Sequence, residues 1–446
     1  DQLGQPEAVV RPILVDAHVA TLITCGPSVC ETVCLNALGK YTVGIGRQVR
    51  QLPLPQPDTP EIETTMITTD ISDTLLHGAA ELERTDNGVL PHRLPRAARQ
   101  RFTDPQLTMA ESQPSGVRLV FTTTATIIEI DAVATRRAFL GLPPRPAGLF
   151  DLRIDGVLIE RVPTTGGITT TIDMATGSVT DQVEPTGVAR FSGLPATDKH
   201  VEIWLPHNEI IELVGLRTDA AVSPVVDTRP IWIDYGSSIS QGSNATGPST
   251  TWTALAAATA GVQLRNLGFG GSALLDHFVA TAIRDAPADL ISLEIGINLV
   301  NSDVMRLRAF TSAVHGFLDT IRDGHPHTPL FVISALLCPI HENTPGPGAF
   351  DPAALASGTV KFVATGDPAE VRAGKLTLTV IREELARIVS ERATADPHLH
   401  YLDGRELYGD NDVEDHPLPD RLHPDQSTHE LIAERVVDRI FPRTRS

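Results

Sequence analysis

The chain has 446 residues, 41% of them hydrophobic and 20% charged, which is enough for two cores in a globular protein. Its formal net charge of −19 weighs against nucleic acid and anionic membrane surfaces as partners, because both would be repelled. No uninterrupted apolar run approaches the length of a bilayer span, so no transmembrane helix is expected.

Residues 1–65 read as an N-terminal arm or linker. They end in LPLPQPDTPEIE, whose Pro53, Pro55, Pro57 and Pro60 suit extended chain better than helix. The cysteines are Cys25, Cys30, Cys34 and Cys338; none forms a C-x-x-C pair, which weighs against a zinc ribbon or a thioredoxin-type site. Free thiols are expected, with a disulfide among the three early cysteines left open. No signal-peptide pattern is visible at the start, so a cytoplasmic compartment is favoured.

Residues 66–225 read as a β domain. GVRLVFTTT and ATIIEIDAV are rich in β-branched residues. In FDLRIDGVLIERV, Asp155-Gly156 supplies the positive φ angles of a tight hairpin turn. HVEIWLPHNEIIELVGL holds two more strands around a turn at Pro206 to Asn208. Short strands at this spacing suggest an antiparallel β-sandwich.

Residues 226–446 alternate strands and helices. The strand candidates are PIWIDY, QLRNLG, DLISLEIG, PLFVISAL and LHYLDG. The clearest helix is DVMRLRAFTSAVHGFLDTIRD, with Val304, Leu307, Phe310, Val314, Phe317 and Ile321 on one stripe. TVIREELARIVSERA and THELIAERVVDRIF share its period. Such alternation implies a parallel sheet covered by helices on both faces, with function in the loops beyond the carboxyl ends of the strands. HENTPGPGAFDP (341–352) is expected as a loop over that edge.

Four of those loops carry residues suited to acyl chemistry. The first strand runs into GSSISQG, where Ser238 is the candidate nucleophile; a serine hydroxyl needs a base and oxyanion donors. The string is not a G-x-S-x-G elbow, since Ser240 stands where the second glycine would be. LPDRLHPDQSTHE places Asp420 three residues before His423, a spacing at which the carboxylate can orient the imidazole. His416 and His429 are alternatives, read more simply as surface histidines. Gly271 in NLGFGGSA and Asn298 in EIGINLVN are the oxyanion candidates, through a backbone N–H and a side-chain amide, with the Ser238 N–H as a third donor.

The C-terminal half resembles the SGNH (GDSL-like) hydrolase family, whose four motif blocks appear in order as YGSSISQG, NLGFGG, IGIN and DRLHP. The resemblance implies a flavodoxin-like three-layer α/β/α domain, with Ser238 as nucleophile, Asp420 and His423 completing the triad, and Ser238, Gly271 and Asn298 forming the oxyanion hole. Ser237 and Leu299 replace the two aspartates usual in the family. This points to the branch whose first block reads G-T-S or G-S-S, often with an N-terminal β-sandwich and a G-x-D-L-Y-like motif, to which GLFDLR (148–153) is similar.

The expected activity is hydrolysis of short-chain carboxylic esters, O-acetylated carbohydrate being a plausible substrate, with no cofactor and no metal. An acyltransferase using the same acyl-enzyme and a silent glycan-binding module are the alternatives. GFGGSA also fits a dinucleotide fingerprint through Gly268, Gly270 and Ala273, but it follows the second strand and would need Glu294 to reach a ribose. The acidic run 403–415 lacks the central glycine of a calcium loop and reads as a solvated loop whose field disfavours anionic substrates. Trp232 and Trp252 read as core, while Trp204 is left on either face. The oligomeric state stays open.

Overall fold

The computed structural model describes residues 65–441 throughout and, within residues 1–64, the backbone of five strands. The chain divides into two compact units, 1–64 and 65–446. In the first, Ile13–Leu14, Val19–Cys25, Cys30–Asn36, Tyr41–Ile45 and Gln48–Gln51 pair in chain order as an antiparallel meander, within the segment read from sequence as an arm or linker. The side chains of Cys25, Cys30 and Cys34, and the proline-rich stretch 53–60, lie outside the described residues.

The second unit opens with two sheets packed face to face. One runs Val157–Pro163, Leu149–Ile154, Lys199–Trp204, Arg118–Thr123, Val222–Pro224; the other has Ile127–Phe139 and Ile210–Thr218 at its centre. Leu119, Phe121, Leu152 and Ile203 of the first meet Ile128, Ile130, Ile211 and Leu213 of the second in one buried core. Asp155 and Gly156 turn the expected hairpin with φ of 49° and 81°. The two strands flanking Pro206 to Asn208 do not pair; each joins a different sheet. One pair departs from the antiparallel expectation, since Thr135 to Phe139 runs parallel to Ile168–Ile172. The intervening chain contributes a hairpin to the other sheet, which supplies the long crossover that parallel pairing needs.

Five parallel strands follow: β1 (Ile231–Gly236), β2 (Gln263–Gly268), β3 (Leu290–Ile295), β4 (Leu330–Ser334) and β5 (Leu399–Leu402), in the order β2-β1-β3-β4-β5. This is a flavodoxin-like sheet, with all five strands at the positions expected from their apolar runs. Helices α1 (Trp252–Ala260) and α5 (Gln426–Ile440) cover one face. α2 (His277–Asp285), α3 (Leu307–Gly324) and α4 (Leu378–Arg392) cover the other. Phe310, Val314, Phe317 and Ile321 form the buried stripe of α3. Val304 does not join it: Asp303 has φ of 47°, the helix starts only at Leu307, and Val304 is 47% exposed. The order β2-β1-β3 places a topological switch beside the carboxyl end of β1, where Ser238 lies.

Candidate active site

Ser238 opens a one-turn helix, Ser238–Gln241, directly after β1. Ser237, in place of the family's aspartate, caps it by accepting a hydrogen bond from Ile239 N at 3.2 Å. The Ser237 N–H donates to Glu294 Oε2 at 2.9 Å, so the turn is pinned from below by β3. Asn266, Asp234 and Ser292 lie in register across β2, β1 and β3. Trp232 Nε1 donates to Ser292 Oγ, which donates to Asp234 Oδ1, at 2.8 and 2.5 Å. Burial pushes the Asp234 carboxyl up to about 8, although Ser292 favours its ionised form. Burial likewise raises Glu294. A neutral carboxyl is the form a dry site tolerates. Trp252 closes the other side, donating from Nε1 to Ile239 O at 3.0 Å.

His423 comes from the loop before α5. Its Nε2 lies 2.9 Å from Ser238 Oγ, and its Nδ1 lies 2.7 Å from Asp420 Oδ2. Asp420 Oδ1 accepts from the N–H groups of Leu422 and His423 at 2.9 and 2.7 Å. Burial would raise the Asp420 carboxyl, but its bonds to His423 and the two backbone N–H groups outweigh this and hold it below the ordinary range. Arg421, between them, has φ of 69°, a left-handed conformation that the surrounding contacts must hold. The Phe362 ring stands edge-on to His423 at 5.7 Å, and Phe362 N donates to Asp420 O at 2.9 Å. Phe362 belongs to a short hairpin, Gly348–Phe350 with Phe362–Ala364, so the 341–352 loop folds over this edge as expected.

Gly271 has φ of 74°, a conformation that favours glycine. Gly296, at φ 150° and with Ala335 2.9 Å from where its Cβ would sit, lets the chain turn from β3 into the helical turn Ile297–Asn301. That turn holds Asn298, whose Oδ1 accepts from Ala273 N at 3.1 Å. The amide is thereby oriented with its NH₂ available. Among the described residues, no hydrogen bond engages the N–H of Ser238 or of Gly271. The five residues singled out from sequence thus meet at one sheet edge. A hydroxyl, an imidazole and a carboxylate in series, beside unengaged donors, can transfer a proton and stabilise an oxyanion.

Residues 228–338 match the family described as GDSL-like Lipase/Acylhydrolase, and residues 74–213 match the SsfX3 N-terminal domain. Residues 228–338 thus carry a GDSL-like lipase/acylhydrolase domain, behind a segment similar to the SsfX3 N-terminal domain. Its structure is similar to that of salicylyl-acyltransferase SsfX3 from a tetracycline biosynthetic pathway, with 28% identity and a TM-score of 0.68 over 84% of this chain and 96% of that one. It shares its fold with a protein from Bacteroides ovatus described as a GDSL-like lipase, at 20% identity and a TM-score of 0.57 over 84% and 95%. Comparison with curated proteins found no match.

The sandwich helps to build the site, which sequence reasoning missed. Arg93, fully buried, donates from Nη1 to Gly268 O at 2.6 Å and stacks on Phe269. Ser115 Oγ donates to Gln241 O at 2.7 Å. Gln241 Oε1 accepts from Gly270 N, and Gln106 Nε2 donates to Gly270 O, at 2.7 and 2.8 Å. Asp151 of the GLFDLR motif accepts from Ser249 N and Oγ at 3.1 and 2.6 Å, tying the sandwich to the segment after the Ser238 turn. The motif was legible; its contact was not.

Other sequence candidates fall elsewhere. His429 is not a surface histidine: it is fully buried, with Nε2 3.0 Å from Ser243 O, and burial lowers it to about 4. A residue one turn into an amphipathic helix faces the core whenever its stripe does, and His429 lies on the buried side of α5. His416 lies 3.0 Å from Ser427 Oγ. Glu294 is buried under Ser237 and is not placed to meet a ribose. Trp204 is buried on the face of its strand opposite the sandwich core, where Arg118 stacks on it and it donates to Glu202 Oε2 at 3.0 Å, and Trp232 and Trp252 are buried as expected. In the acidic run Asp403 pairs with Arg405, Asp412 with Arg435 and Glu406 with Arg439. Among the described residues no group of three or more His, Cys, Asp or Glu is placed to hold a metal, and no helix is long and apolar enough to cross a membrane.

Proposed function

We propose that the protein is a serine esterase that cleaves short-chain carboxylic esters through an acyl-enzyme. The observation that carries this reading is the series Ser238 Oγ, His423 Nε2, His423 Nδ1, Asp420 Oδ2, with separations of 2.9 and 2.7 Å across the molecule. Ser238 attacks the ester carbonyl while His423 takes its proton, and the carbonyl electrons move onto oxygen. The N–H groups of Ser238 and Gly271 and the Asn298 amide hold that oxyanion. Collapse expels the alkoxide, which takes the proton back from His423. Water, deprotonated by the same imidazole, then releases the acid and restores Ser238. Asp420, ionised and bonded to the backbone, holds the imidazole in the tautomer that accepts from serine.

The similarity to a salicylyl-acyltransferase at 28% identity favours a second reading, in which an alcohol replaces water in the last step. Acetylated carbohydrate remains within the class, but all three tryptophans are buried, so no indole offers a sugar a stacking face. Turnover of 4-nitrophenyl acetate, butyrate and octanoate by wild type and Ser238→Ala tests the core of the proposal. Loss of about 10³-fold or more in kcat is expected. Undiminished turnover by Ser238→Ala overturns it, and inactivity of the wild type on every ester favours a glycan-binding module. Product analysis with an added alcohol separates hydrolysis from transfer.

A further inference from the structure

The Gly271 N–H lies in the central peptide of a β-turn. Ser272 N donates to Phe269 O at 2.9 Å, closing the turn Phe269-Gly270-Gly271-Ser272. Of its two central residues only Gly271 has positive φ, at 74°, which makes this a type II turn. Types I and II differ by a half-rotation of that central peptide, which exchanges the directions of the Gly270 C=O and the Gly271 N–H. A side chain at the second central position would disfavour type II. With glycine at both, the backbone admits either form. The direction of the donor must therefore be set from outside the turn.

The contacts that can set it come from the sandwich half of the chain. Gln106 lies in the first turn of the helix Pro105–Ser112, which Asp104 caps by accepting from Leu107 N at 2.7 Å. Its Nε2 donates to Gly270 O at 2.8 Å and lies 3.3 Å from where a Cβ on Gly271 would sit. Its Oε1 accepts from Arg137 Nη1 at 3.3 Å, which leaves the NH₂ end to face the turn. The preceding peptide is held by Gln241, whose Oε1 accepts from Gly270 N at 2.7 Å. That amide is oriented in turn by donating from Nε2 to Gln113 Oε1 and His207 O. A Cβ on Gly270 would stand 3.4 Å from Ser238 Cβ, so the turn runs directly beside the nucleophile. The Gly270–Gly271 bond is trans, and in a trans peptide the C=O and N–H point opposite ways. With Gly270 O drawn to Gln106, the Gly271 N–H points away from the sandwich helix.

We propose that Gln106 is a positioning residue for the oxyanion hole: its bond to Gly270 O holds the turn in the form that aims the Gly271 N–H at the substrate oxygen, and Arg137 fixes which end of the Gln106 amide does so. This rests on the esterase reading, in which that N–H meets the oxyanion. Gln106→Met keeps the length of the side chain and loses the donor. Gln106→Glu, ionised, accepts from Arg137 but cannot donate to Gly270. An oxyanion exists only in the transition state, so kcat for 4-nitrophenyl butyrate is expected to fall about tenfold to a hundredfold in both variants, with KM within about threefold of wild type. Butyl trifluoromethyl ketone gives a second readout. Ser238 Oγ adds to its carbonyl carbon, the serine proton passes to His423, and the carbonyl electron pair moves onto oxygen as a lasting oxyanion. Its inhibition constant is expected to weaken in both variants by a factor close to the loss in kcat.

Wild-type kcat in either variant overturns the proposal while leaving the esterase reading intact, because side-chain bulk rather than the donated bond then suffices. A loss confined to KM, or a loss of kcat with ketone inhibition unchanged, overturns it equally. Should Gln106→Met not fold, Gln106→Glu decides alone. If wild type turns over no ester, the esterase reading fails instead, and crystal structures of wild type and Gln106→Met decide whether Gln106 sets the turn. A Gly270–Gly271 peptide turned over in the variant supports that role; an unchanged peptide overturns it.

Discussion

The two halves of the proposed triad are held in place by different physics. Ser238 sits on a helical turn anchored in the protein's interior: Ser237 bonds Glu294, Trp252 bonds Ile239, and Asp234 lies buried beneath. His423 sits on an irregular loop whose order is local. Asp420 binds its ring and its backbone N–H, and Phe362 covers it from a surface hairpin. The nucleophile is therefore fixed by elements far apart in sequence, and the base chiefly by the carboxylate three positions away. The difference predicts where damage registers: on the base side in the rate, on the nucleophile side in stability.

The largest effect is expected for Asp420→Asn. An amide cannot hold the imidazole in the required tautomer, so kcat on a 4-nitrophenyl ester should fall about 10²–10⁴-fold, with the denaturation midpoint little changed. A fall in stability as large as the fall in rate would erase the contrast. Next comes Glu294→Ala, which strips the Ser237 N–H of its acceptor and opens a buried space. Chemical denaturation should show a loss of about 2–4 kcal/mol, and Glu294→Gln, which can still accept, should recover much of it. An unchanged midpoint in the alanine variant would mean that the turn is held without β3.

The smallest effect is a pH dependence of stability. Asp234 loses its proton near 3.8 when unfolded but at about 8 when folded, so the unfolded chain binds fewer protons between those values and stability declines as pH rises through them. His207 and His429 run the other way. Both titrate near 6.5 unfolded and at about 4 folded, through burial, so their contribution is lost as pH falls from 6.5 towards 4. Denaturation midpoints between pH 6.5 and 8.5 should decline less steeply in Asp234→Asn than in wild type. Parallel slopes would show that Asp234 titrates near its ordinary value.

Much of this was legible in the chain itself, and the reason is range. A buried parallel strand needs only a short apolar run, and an amphipathic helix only a 3.6-residue period, so β1 to β5 and the stripe of α3 could be read locally. The same holds for Asp420 and His423, whose partnership spans three residues, and for Ser238 at the end of a core strand. Where a local period was extended too far, at Val304, a single left-handed residue had already broken the helix. His429 was misjudged because polarity alone does not tell which side of α5 a histidine faces. What no local pattern contains is the joint construction of the site. Gln106 reaches Gly270 across 164 residues, Arg93 reaches Gly268 across 175, and Asp151 reaches Ser249 across 98. The sequence by itself determined which strands, helices and reactive groups exist, because propensity, period and residue chemistry act over a few positions. Only the tertiary structure decided that Ser238 would meet His423, because that distance depends on how whole layers pack.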